Sequence, residues 1–388
     1  MSQELINRSP DLKRLQDEGY EIEVKGGYAL VHHIPYVNSI KEVRFGTLVS
    51  NLTLAGDKTT IPDTHVIYFQ GEYPSNINGS IIVGIQHVST SQQLADGIIV
   101  NHSFSNKPPQ GYKDYYEKFT RYIDIITAPA KAMDPSVSPK TNKIIESTEG
   151  SVFHYFDTNT SRANIGAISK KLENQRIAII GLGGTGSYIL DLVAKTPVTE
   201  IHLYDGDVFL QHNAFRTPGA PSIETLREKK LKVDYLSDIY INMHKRIIAH
   251  PEYLHQESIE NVVLSADFVF ISMDKGSIKR ELIKKLLENN KPFIDVGIGI
   301  DPVDDFLIGQ VRVTTGTPQK NDHIHDRITF TDGEKDAYST NIQIAELNAL
   351  NASMAVIKWK KHFGFYQDLY TEHHVTYSIN TGDIIYED

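Results

Sequence analysis

Short, continuous apolar runs alternate with amphipathic segments in the second part of the chain. Four such runs predict buried strands, at residues 176–180, 200–205, 267–272 and 291–297. The segments between and after them carry helical periodicity, at residues 187–195, 223–243, 277–288 and 341–362. Buried strands that alternate with helices are typical of a parallel sheet covered on both faces. The pattern therefore predicts a doubly wound α/β domain with a mainly parallel sheet, followed by a β hairpin at residues 375–388.

The first part of the chain has the pattern of short strands separated by turns. After a short predicted helix at residues 14–18, strand-like runs occur at residues 20–24, 28–36, 43–54, 65–69, 81–85 and 97–102. Clusters of Gly, Pro, Asn and Asp separate them, which indicates a smaller, mainly antiparallel β domain. Aromatic residues at helical spacing then predict a helix at residues 111–126 with a buried aromatic face.

A change of composition separates these two parts. Residues 128–148 contain three prolines and several small polar residues, which is typical of a linker. A chain of 388 residues is long enough for two domains. We therefore predict a mainly β domain at residues 1–128, a linker at 129–148 and an α/β domain at 149–388.

Composition and charge exclude several functions. The chain has no cysteine, so disulfides, zinc sites with cysteine ligands and a cysteine nucleophile are impossible. Its net charge of −10 argues against a general nucleic-acid partner, because nucleic-acid binding requires a basic surface. The longest uncharged stretch, residues 74–95, is rich in Ser, Asn, Gln and Gly, and the N-terminus has no signal-peptide core. We therefore expect no membrane association and a cytoplasmic location.

A glycine-rich loop follows the first predicted strand of the α/β domain. Its glycines fit G-x-G-x-x-G at positions Gly181, Gly183 and Gly186. Glycine allows a tight turn and close approach of the backbone, and the N-terminus of the following helix attracts a phosphate. Asp205 ends the next strand, where a carboxylate can accept a ribose hydroxyl. The pattern predicts a Rossmann-like nucleotide site that NAD satisfies as well as ATP, with a ligand-free turn as the alternative.

A second group of polar residues follows Asp205. Asp207 completes an Asp-x-Asp motif, Asn213 and Arg216 come next, and lysines follow at positions 229, 230 and 232. A dinucleotide dehydrogenase has no evident need for this series. The series resembles the ThiF/MoeB-type adenylyltransferases, the superfamily of the ubiquitin-activating enzymes. The resemblance covers residues 162–363, about half of the chain.

The resemblance implies a role for each matching residue. The residues expected to border the phosphates of ATP are Gly181, Gly183, Gly184, Gly186 and Ser187. Asp205 matches the ribose-binding Asp, and Asp207 is expected beside it at the nucleotide. Asn213 and Arg216 match the pair that contacts the phosphates.

Further catalytic roles follow from the same resemblance. Lys232 is the best match to the phosphate-contacting Lys, with Lys229 and Lys230 as alternatives, although any of these lysines also fits a solvated helix face. Asp274 matches the Asp beside Mg²⁺, but Lys275 stands where the family more often has Asn. Arg162 is the candidate for an arginine that reaches into the partner subunit's site.

The expected reaction explains these residue types. A carboxylate attacks the α-phosphate of ATP, pyrophosphate leaves, and negative charge grows on both groups. Fixed cations and Mg²⁺ stabilise that charge. No general base is needed, because a carboxylate is already ionised at neutral pH. Positioning of the two reactants is then the main task of the enzyme.

The absence of cysteine leaves two routes after adenylation. The acyl adenylate passes directly to an acceptor, or a hydroxyl first receives the acyl group as an oxyester. The candidate hydroxyls are Thr314, Thr315, Ser339 and Thr340, for which the sequence identifies no activating base. We favour direct transfer. Metal binding by the histidines at positions 323, 325, 373 and 374 is also conceivable, but solvated loop histidines are the simpler interpretation.

The whole chain resembles the larger bacterial ThiF-type proteins that carry an N-terminal accessory domain. The resemblance implies adenylation of the C-terminal Gly carboxylate of a ubiquitin-like protein by a homodimer, with ATP and Mg²⁺ as cofactors. It also implies that the first domain recognises this modifier or a downstream transfer protein. The alternatives are adenylation of a sulfur-carrier protein or peptide, an NAD-dependent oxidoreductase, and a catalytically silent nucleotide-binding scaffold.

Overall fold

The chain forms two compact units, Met1–Lys170 and Lys171–Asp388. This computed structural model describes residues 2–143, 145, 151–155, 157–163, 165–330 and 342–387, with the backbone alone at residues 2, 3, 161, 162 and 167. The boundaries that we derive from composition, at residues 128 and 149, stay a prediction. No helix within the described ranges combines the length and the apolar character that crossing a membrane requires.

The first unit is built on an antiparallel sheet, as the turn-rich sequence predicts. Its strands are β1 (Ile22–Lys25), β2 (Tyr28–Val37), β3 (Val43–Asn51), β4 (Leu54–Ala55), β5 (Lys58–Thr59), β6 (Val66–Gln70), β7 (Gln86–Val88), β8 (Gln92–Ala95), β9 (Ile98–Val100) and β10 (His102–Ser105). Six of them form one sheet in the order β1-β2-β3-β6-β10-β7. The predicted strand at residues 81–85 is wrong, because Val83–Ile85 is a short 3₁₀ turn that leads into β7.

Helices accompany this sheet in the described part of the first unit. They are α1 (Ser2–Arg8), α2 (Pro10–Asp17), α3 (Tyr115–Met133), α4 (Thr158–Arg162) and α5 (Gly166–Ser169). Asp114 caps α3 by accepting the amide of Glu117 at 2.8 Å, and Tyr115, Phe119 and Tyr122 are fully buried. The predicted aromatic face is therefore confirmed. The helix runs past the predicted end at residue 126 to Met133, and Pro129 is buried within its last turns.

A lysine lies in the core of the first unit. Lys118 on α3 is fully buried, and its Nζ donates to the hydroxyl of Ser50 at 2.8 Å. Burial lowers the pKa of Lys118 to about 7, against the opposing negative charge of Asp63. The folded state therefore favours the neutral amine, whereas the unfolded chain holds its proton up to a pH of about 10.4. Stability should consequently rise as the pH rises above 7.

We predict that Lys118→Met raises the melting temperature of the full chain at neutral pH. Met has a similar length and carries no amine, so the cost of burying that polar group and of removing its proton on folding disappears. Ser50 keeps a partner in the variant, because its hydroxyl also donates to the carbonyl of Asn51 at 3.1 Å. Calorimetric melting between pH 7 and 9 should show a smaller increase of stability with pH than in the wild type. Lys131→Met, at an exposed position of the same helix, is the control and should keep the wild-type slope.

The second unit contains the predicted parallel sheet. Its strands are β11 (Arg176–Ile180), β12 (Glu200–Tyr204), β13 (Ile247–His250), β14 (Phe268–Ile271), β15 (Phe293–Val303), β16 (Phe306–Gly316), β17 (His374–Ser378) and β18 (Ile384–Glu387). They form one sheet in the order β13-β12-β11-β14-β15-β16-β17-β18. The neighbours from β13 to β15 are parallel, and the neighbours from β15 to β18 are antiparallel. The doubly wound fold and the terminal hairpin are confirmed.

Helices cover both faces of this sheet. They are α6 (Gly184–Val193), α7 (Gln211–Ala214), α8 (Ile223–Glu228), α9 (Lys232–Tyr240), α10 (Gln256–Ser265), α11 (Gly276–Glu288), α12 (Ile324–Arg327) and α13 (Ala345–His362). Helices α6 and α13 pack together over one apolar core, and α10 and α11 pack together over a second. Because strands β11 to β15 are parallel, their carboxyl ends lie at the same edge of the sheet. Ligands bind at this edge in sheets of this kind.

The single helix predicted at residues 223–243 is wrong. The structure has two helices, α8 and α9, separated at Lys229, whose φ of 51° is left-handed. The chain must turn there because residues 207–209 pair with residues 230–232: the amide of Phe209 donates to the carbonyl of Lys230, and that of Lys232 to Asp207. Helical periodicity alone does not reveal this pairing.

Candidate nucleotide site

The glycine loop is closely packed against the protein on one side. Gly181 has a φ of 86°, and a Cβ at this position would collide with the carbonyl oxygen of Ser272 after β14. A Cβ at Gly186 would collide with the carbonyl oxygen of Gly181. Around Gly183, in contrast, a Cβ would meet nothing within 4 Å. The loop is thus held from behind and presents open backbone at the N-terminus of α6, which suits a phosphate.

Ser187 does not take part in this open surface. Its side chain is fully buried, and its hydroxyl donates to the carbonyl of Gly184 at 2.7 Å within the first turn of α6. The predicted contact of Ser187 with phosphate has no support in this geometry. Its role is to close the helix turn behind the loop.

Asn348 joins the glycine loop to the arginine motif, and sequence reasoning missed it. The residue is fully buried on α13. Its Oδ1 accepts the hydroxyl of Thr185 at 3.0 Å, and its Nδ2 donates to the carbonyl of Arg216 at 3.4 Å. It also touches Gly184, where a Cβ would collide with its amide. Asn348 thereby fixes the loop and the backbone of Arg216 relative to each other.

We predict that Asn348→Ala lowers both the stability of the protein and its affinity for ATP. The change leaves the buried hydroxyl of Thr185 without its acceptor, which costs about 1–3 kcal/mol. It also loosens the backbone of Arg216. Thermal melting and ATP titration calorimetry should both show the loss, whereas Glu346→Ala, at an exposed position of the same helix, should leave both unchanged. Wild-type behaviour of Asn348→Ala would contradict the bridging role.

Asp205 faces the backbone of the glycine loop. Its Oδ2 accepts the amide of Leu182 at 2.7 Å, and its Oδ1 accepts the amide of Asp207 at 2.8 Å. The side chain is only 8% exposed, and burial raises the pKa of the Asp205 carboxyl against the opposing charge of Lys232. The carboxylate therefore couples the end of β12 to the loop after β11, in the place where a ribose-binding Asp is expected.

Of the three candidate lysines, Lys232 lies beside the two aspartates. Its Nζ is 2.6 Å from Oδ2 of Asp207 and 3.7 Å from Oδ2 of Asp205, and its side chain is 8% exposed. Lys230 instead pairs with Asp238 and Glu228 on the surface, and Lys229 is exposed. Burial alone would raise the pKa of Asp207, but hydrogen bonds from Lys232 and Tyr253 hold that pKa below its usual value. The Nζ of Lys232 is thus held between the two aspartates.

Arg216 brings a second cation to this edge of the sheet. Its guanidinium is half-buried, and its Nε has no hydrogen-bond partner among the described residues. Burial lowers the pKa of Arg216, while the charges of Asp274 and Asp207 oppose the shift. Asp274 itself is exposed, three residues beyond the end of β14. The Nε of Arg216 is a buried donor without a described partner, and the nearby carboxylates favour the charged form of its guanidinium. Such a group is suited to bind an anionic ligand.

Asn213 supports Arg216 from within the same turn. Its side chain is buried, and its Oδ1 accepts the amide of Leu210 at 2.8 Å. Its backbone carbonyl accepts the amide of Arg216 at 3.0 Å. In this structure Asn213 shapes the segment that carries Arg216, and its predicted contact with phosphate stays a prediction.

The remaining candidates are an arginine and four hydroxyl residues. Arg162 ends α4 in the first unit, its side chain is not described, and its role stays a prediction. Ser339 and Thr340 also lie outside the described residues. Thr314 and Thr315 are buried. The Oγ1 of Thr314 lies 3.0 Å from Nδ1 of His374, but Thr314 is fully buried, so its hydroxyl is not accessible to an acyl group.

The histidine interpretation requires a correction. His323 and His374 are buried rather than solvated: His374 lies within β17, and Nε2 of His323 donates to the carbonyl oxygen of Thr315 at 3.1 Å. His325 is exposed. In the part of the chain that the structure describes, no group of three or more acidic, histidine or cysteine side chains is arranged to hold a metal ion.

Fold and site together define a nucleotide-binding domain with an Arg-Lys-Asp cluster beside a glycine loop. A family model described as "ThiF family" matches residues 158–375, which is more than half of the chain, and the protein therefore belongs to the ThiF family. A model described as "Domain of unknown function (DUF6791)" matches residues 10–158. No curated protein matches the chain in sequence.

Solved structures of two proteins match part of this chain at low sequence identity. Escherichia coli MccB crystallised with MccA-N7isoASN is 17% identical, with a TM-score of 0.49, over 63% of this chain and 72% of MccB. E. coli MccB crystallised with ATP is 19% identical, with a TM-score of 0.46, over 59% of this chain and 70% of MccB. PaaA is 16% identical, with a TM-score of 0.45, over 57% of this chain and 75% of PaaA.

Proposed function

We propose that this protein is an ATP-dependent adenylyltransferase that activates the C-terminal carboxylate of a ubiquitin-like protein ending in Gly. The observation that carries the proposal is the position of Arg216 and Lys232 beside the aspartates of the glycine-loop edge. Two charged, partly or fully buried cations at the N-terminus of a helix suit a triphosphate whose charge increases during the reaction. A dehydrogenase would not need cations placed in this way. Membership of the ThiF family supports the same conclusion.

In the proposed reaction, one oxygen of the substrate carboxylate attacks the α-phosphorus of ATP. The bond from the α-phosphorus to the bridging oxygen breaks, and pyrophosphate leaves with that electron pair, so the products are the acyl adenylate and pyrophosphate. The amides after Gly183 hold the phosphates in line. Arg216 and Lys232 neutralise the charge that develops on the transferred and departing groups.

Mg²⁺ fits the residues of this site. The ion prefers oxygen ligands and is commonly held by one or two carboxylates together with substrate phosphates. Asp274 offers an exposed carboxylate on the loop after β14, and the half-exposed Asp207 lies on the same edge of the sheet. When bound, Mg²⁺ would neutralise part of the phosphate charge. Asp274 is the residue that we expect to hold it.

The handling of the product follows from composition. Since the chain has no cysteine and the hydroxyl of Thr314 is buried, we propose that the adenylate passes directly to an acceptor, without a covalent intermediate on this protein.

We further propose that the first unit binds the modifier or a transfer protein, and that the active form is a homodimer in which Arg162 reaches the partner subunit's site. Light scattering of the purified chain tests the dimer directly.

ATP–pyrophosphate exchange tests the proposed function. The full chain is incubated with ATP, Mg²⁺, labelled pyrophosphate and a candidate substrate: a ubiquitin-like protein ending in Gly, the same protein with an amidated C-terminus, a sulfur-carrier protein, or short peptides. We expect exchange with the first protein and none with the amidated form. Exchange with peptides alone, or with the sulfur carrier alone, would show that the substrate belongs to that class and is not a ubiquitin-like protein. Binding of ATP without exchange in the presence of any of these substrates would indicate a catalytically silent scaffold. Binding of NAD instead of ATP would contradict the proposal.

A further inference from the structure

Lys275 occupies a position where a lysine is unfavourable for the helix. It is the N-cap of α11, with φ −69° and ψ 101°, and its side chain makes no capping hydrogen bond. Ser, Thr, Asp and Asn are the preferred N-caps. A cation beside the positive end of the helix dipole costs about 0.3–1 kcal/mol. A residue that violates local preference in this way is expected at functional positions.

An exposed tyrosine holds the Lys275 ammonium group in place. The Nζ of Lys275 lies 4.6 Å from the ring centroid of Tyr253, a cation–π distance. The hydroxyl of Tyr253 donates to Oδ1 of Asp207 at 2.6 Å, and the other oxygen of Asp207 accepts Lys232 at 2.6 Å. The ring also lies against Gly206, where a Cβ would stand 2.8 Å from it. Lys275 is thus connected through two side chains to Lys232.

The charges at this edge explain why a third cation is useful. Asp205, Asp207 and Asp274 are three acidic side chains, and Lys232 and Arg216 are two basic ones, so the formal charge of these five residues is −1. That charge would repel a triphosphate. Lys275 balances it, because its Nζ lies over the ring of Tyr253, whose hydroxyl donates to Asp207. A third cation on the loop after β14 places positive charge beside Asp274, where phosphates would lie.

We propose that Lys275, positioned by Tyr253, is a further cation of the nucleotide site and binds the β- and γ-phosphates of ATP. The inference rests on the proposed function. Lys275 contacts the polyphosphate, and Tyr253 is a positioning residue that acts through Lys275 and Asp207. The loop after β14 therefore supplies both a carboxylate for Mg²⁺ and a cation for the departing pyrophosphate.

Nucleotide titration of the full chain in the presence of Mg²⁺ tests this role. We expect Lys275→Asn to weaken ATP binding by about 10-fold or more, as for the loss of one charge-assisted contact. AMP affinity should stay at the wild-type value, since AMP lacks the β- and γ-phosphates. The melting temperature should stay equal or rise, because Asn is a preferred N-cap. Lys275→Arg should retain most of the ATP affinity, and Lys284→Asn, on the exposed side of the same helix, is the matched control.

Tyr253→Phe separates positioning from contact. It keeps the ring beneath Lys275 and removes only the hydroxyl that reaches Asp207, so we expect a loss of about 2- to 5-fold in ATP affinity. Combined with Lys275→Asn, its effect should be less than additive, because the two residues act as one unit. Wild-type ATP affinity of Lys275→Asn, or an equal loss for AMP, would overturn the inference and leave the proposed function standing. Failure of the wild-type chain to bind ATP would overturn both.

Discussion

Arg216→Ala should abolish ATP–pyrophosphate exchange while the protein stays folded. The guanidinium is the half-buried cation whose Nε lacks a partner among the described residues, and it faces the carboxylates that surround the glycine loop. Removing a fixed donor that stabilises charge in the transition state costs about 10²–10³-fold in rate. Arg216→Lys should recover only part of the activity, because an ammonium group cannot reproduce the planar fork of a guanidinium.

A control variant and a stability measurement distinguish a lost phosphate contact from other effects of Arg216→Ala. Arg227→Ala removes an exposed arginine of α8, a helix without buried residues, and should exchange pyrophosphate at the wild-type rate. The melting temperature of Arg216→Ala should stay near the wild-type value, which distinguishes a lost contact from a lost fold. Unchanged exchange by Arg216→Ala would remove the main support for the proposed function.

A pair of glycine substitutions should separate folding from nucleotide binding. In Gly186→Ala, the new methyl group would collide with the carbonyl oxygen of Gly181, so the loop or α6 must move. Overpacking of this kind costs about 1–3 kcal/mol and occasionally more. In Gly183→Ala, the methyl group meets nothing within 4 Å, and the φ of −68° suits alanine. The second variant should fold normally and still fail to bind ATP, because its methyl group lies where a phosphate must approach.

Melting curves and ATP titrations of both variants test this pair. We expect a clearly lower melting temperature for Gly186→Ala and a melting temperature close to the wild type for Gly183→Ala. We expect ATP affinity to fall by at least about 10-fold in Gly183→Ala. Gly219→Ala is a useful control outside the loop: its φ of 88° makes alanine strained, yet no atom lies within 4 Å, so it should lose some stability and keep its affinity for ATP. Tight ATP binding by Gly183→Ala would place the phosphates elsewhere.

The sequence was sufficient for the fold class because the apolar runs that become β11, β12 and β14 are continuous and short. It was also sufficient to propose Arg216, because the series from Asp205 to Arg216 is contiguous in the chain and resembles that of the ThiF/MoeB-type adenylyltransferases. The choice among three lysines required the structure. Only the pairing of residues 207–209 with residues 230–232 brings Lys232 to Asp207 and turns Lys230 outward.

The residues that the sequence did not reveal act across long sequence distances. Asn348 bonds to Thr185, 163 positions away, and Tyr253 bonds to Asp207, 46 positions away. One signal was available for Asn348: amides at positions 348 and 351 lie on the apolar side of a helix, and buried amides are normally hydrogen-bonded. No comparable signal marked Tyr253, because an aromatic residue in a turn is common.

The pairing of residues 207–209 with residues 230–232 also has a consequence for the residues between them. Backbone hydrogen bonds join the two ends of the segment 207–232, so the residues between them form a compact surface loop. Helix α8 contributes no buried residue. Mutations and insertions around α8 should therefore be tolerated without displacing Arg216 or Lys232. This surface segment can consequently vary in evolution and change the choice of substrate while the cations of the nucleotide site stay in place.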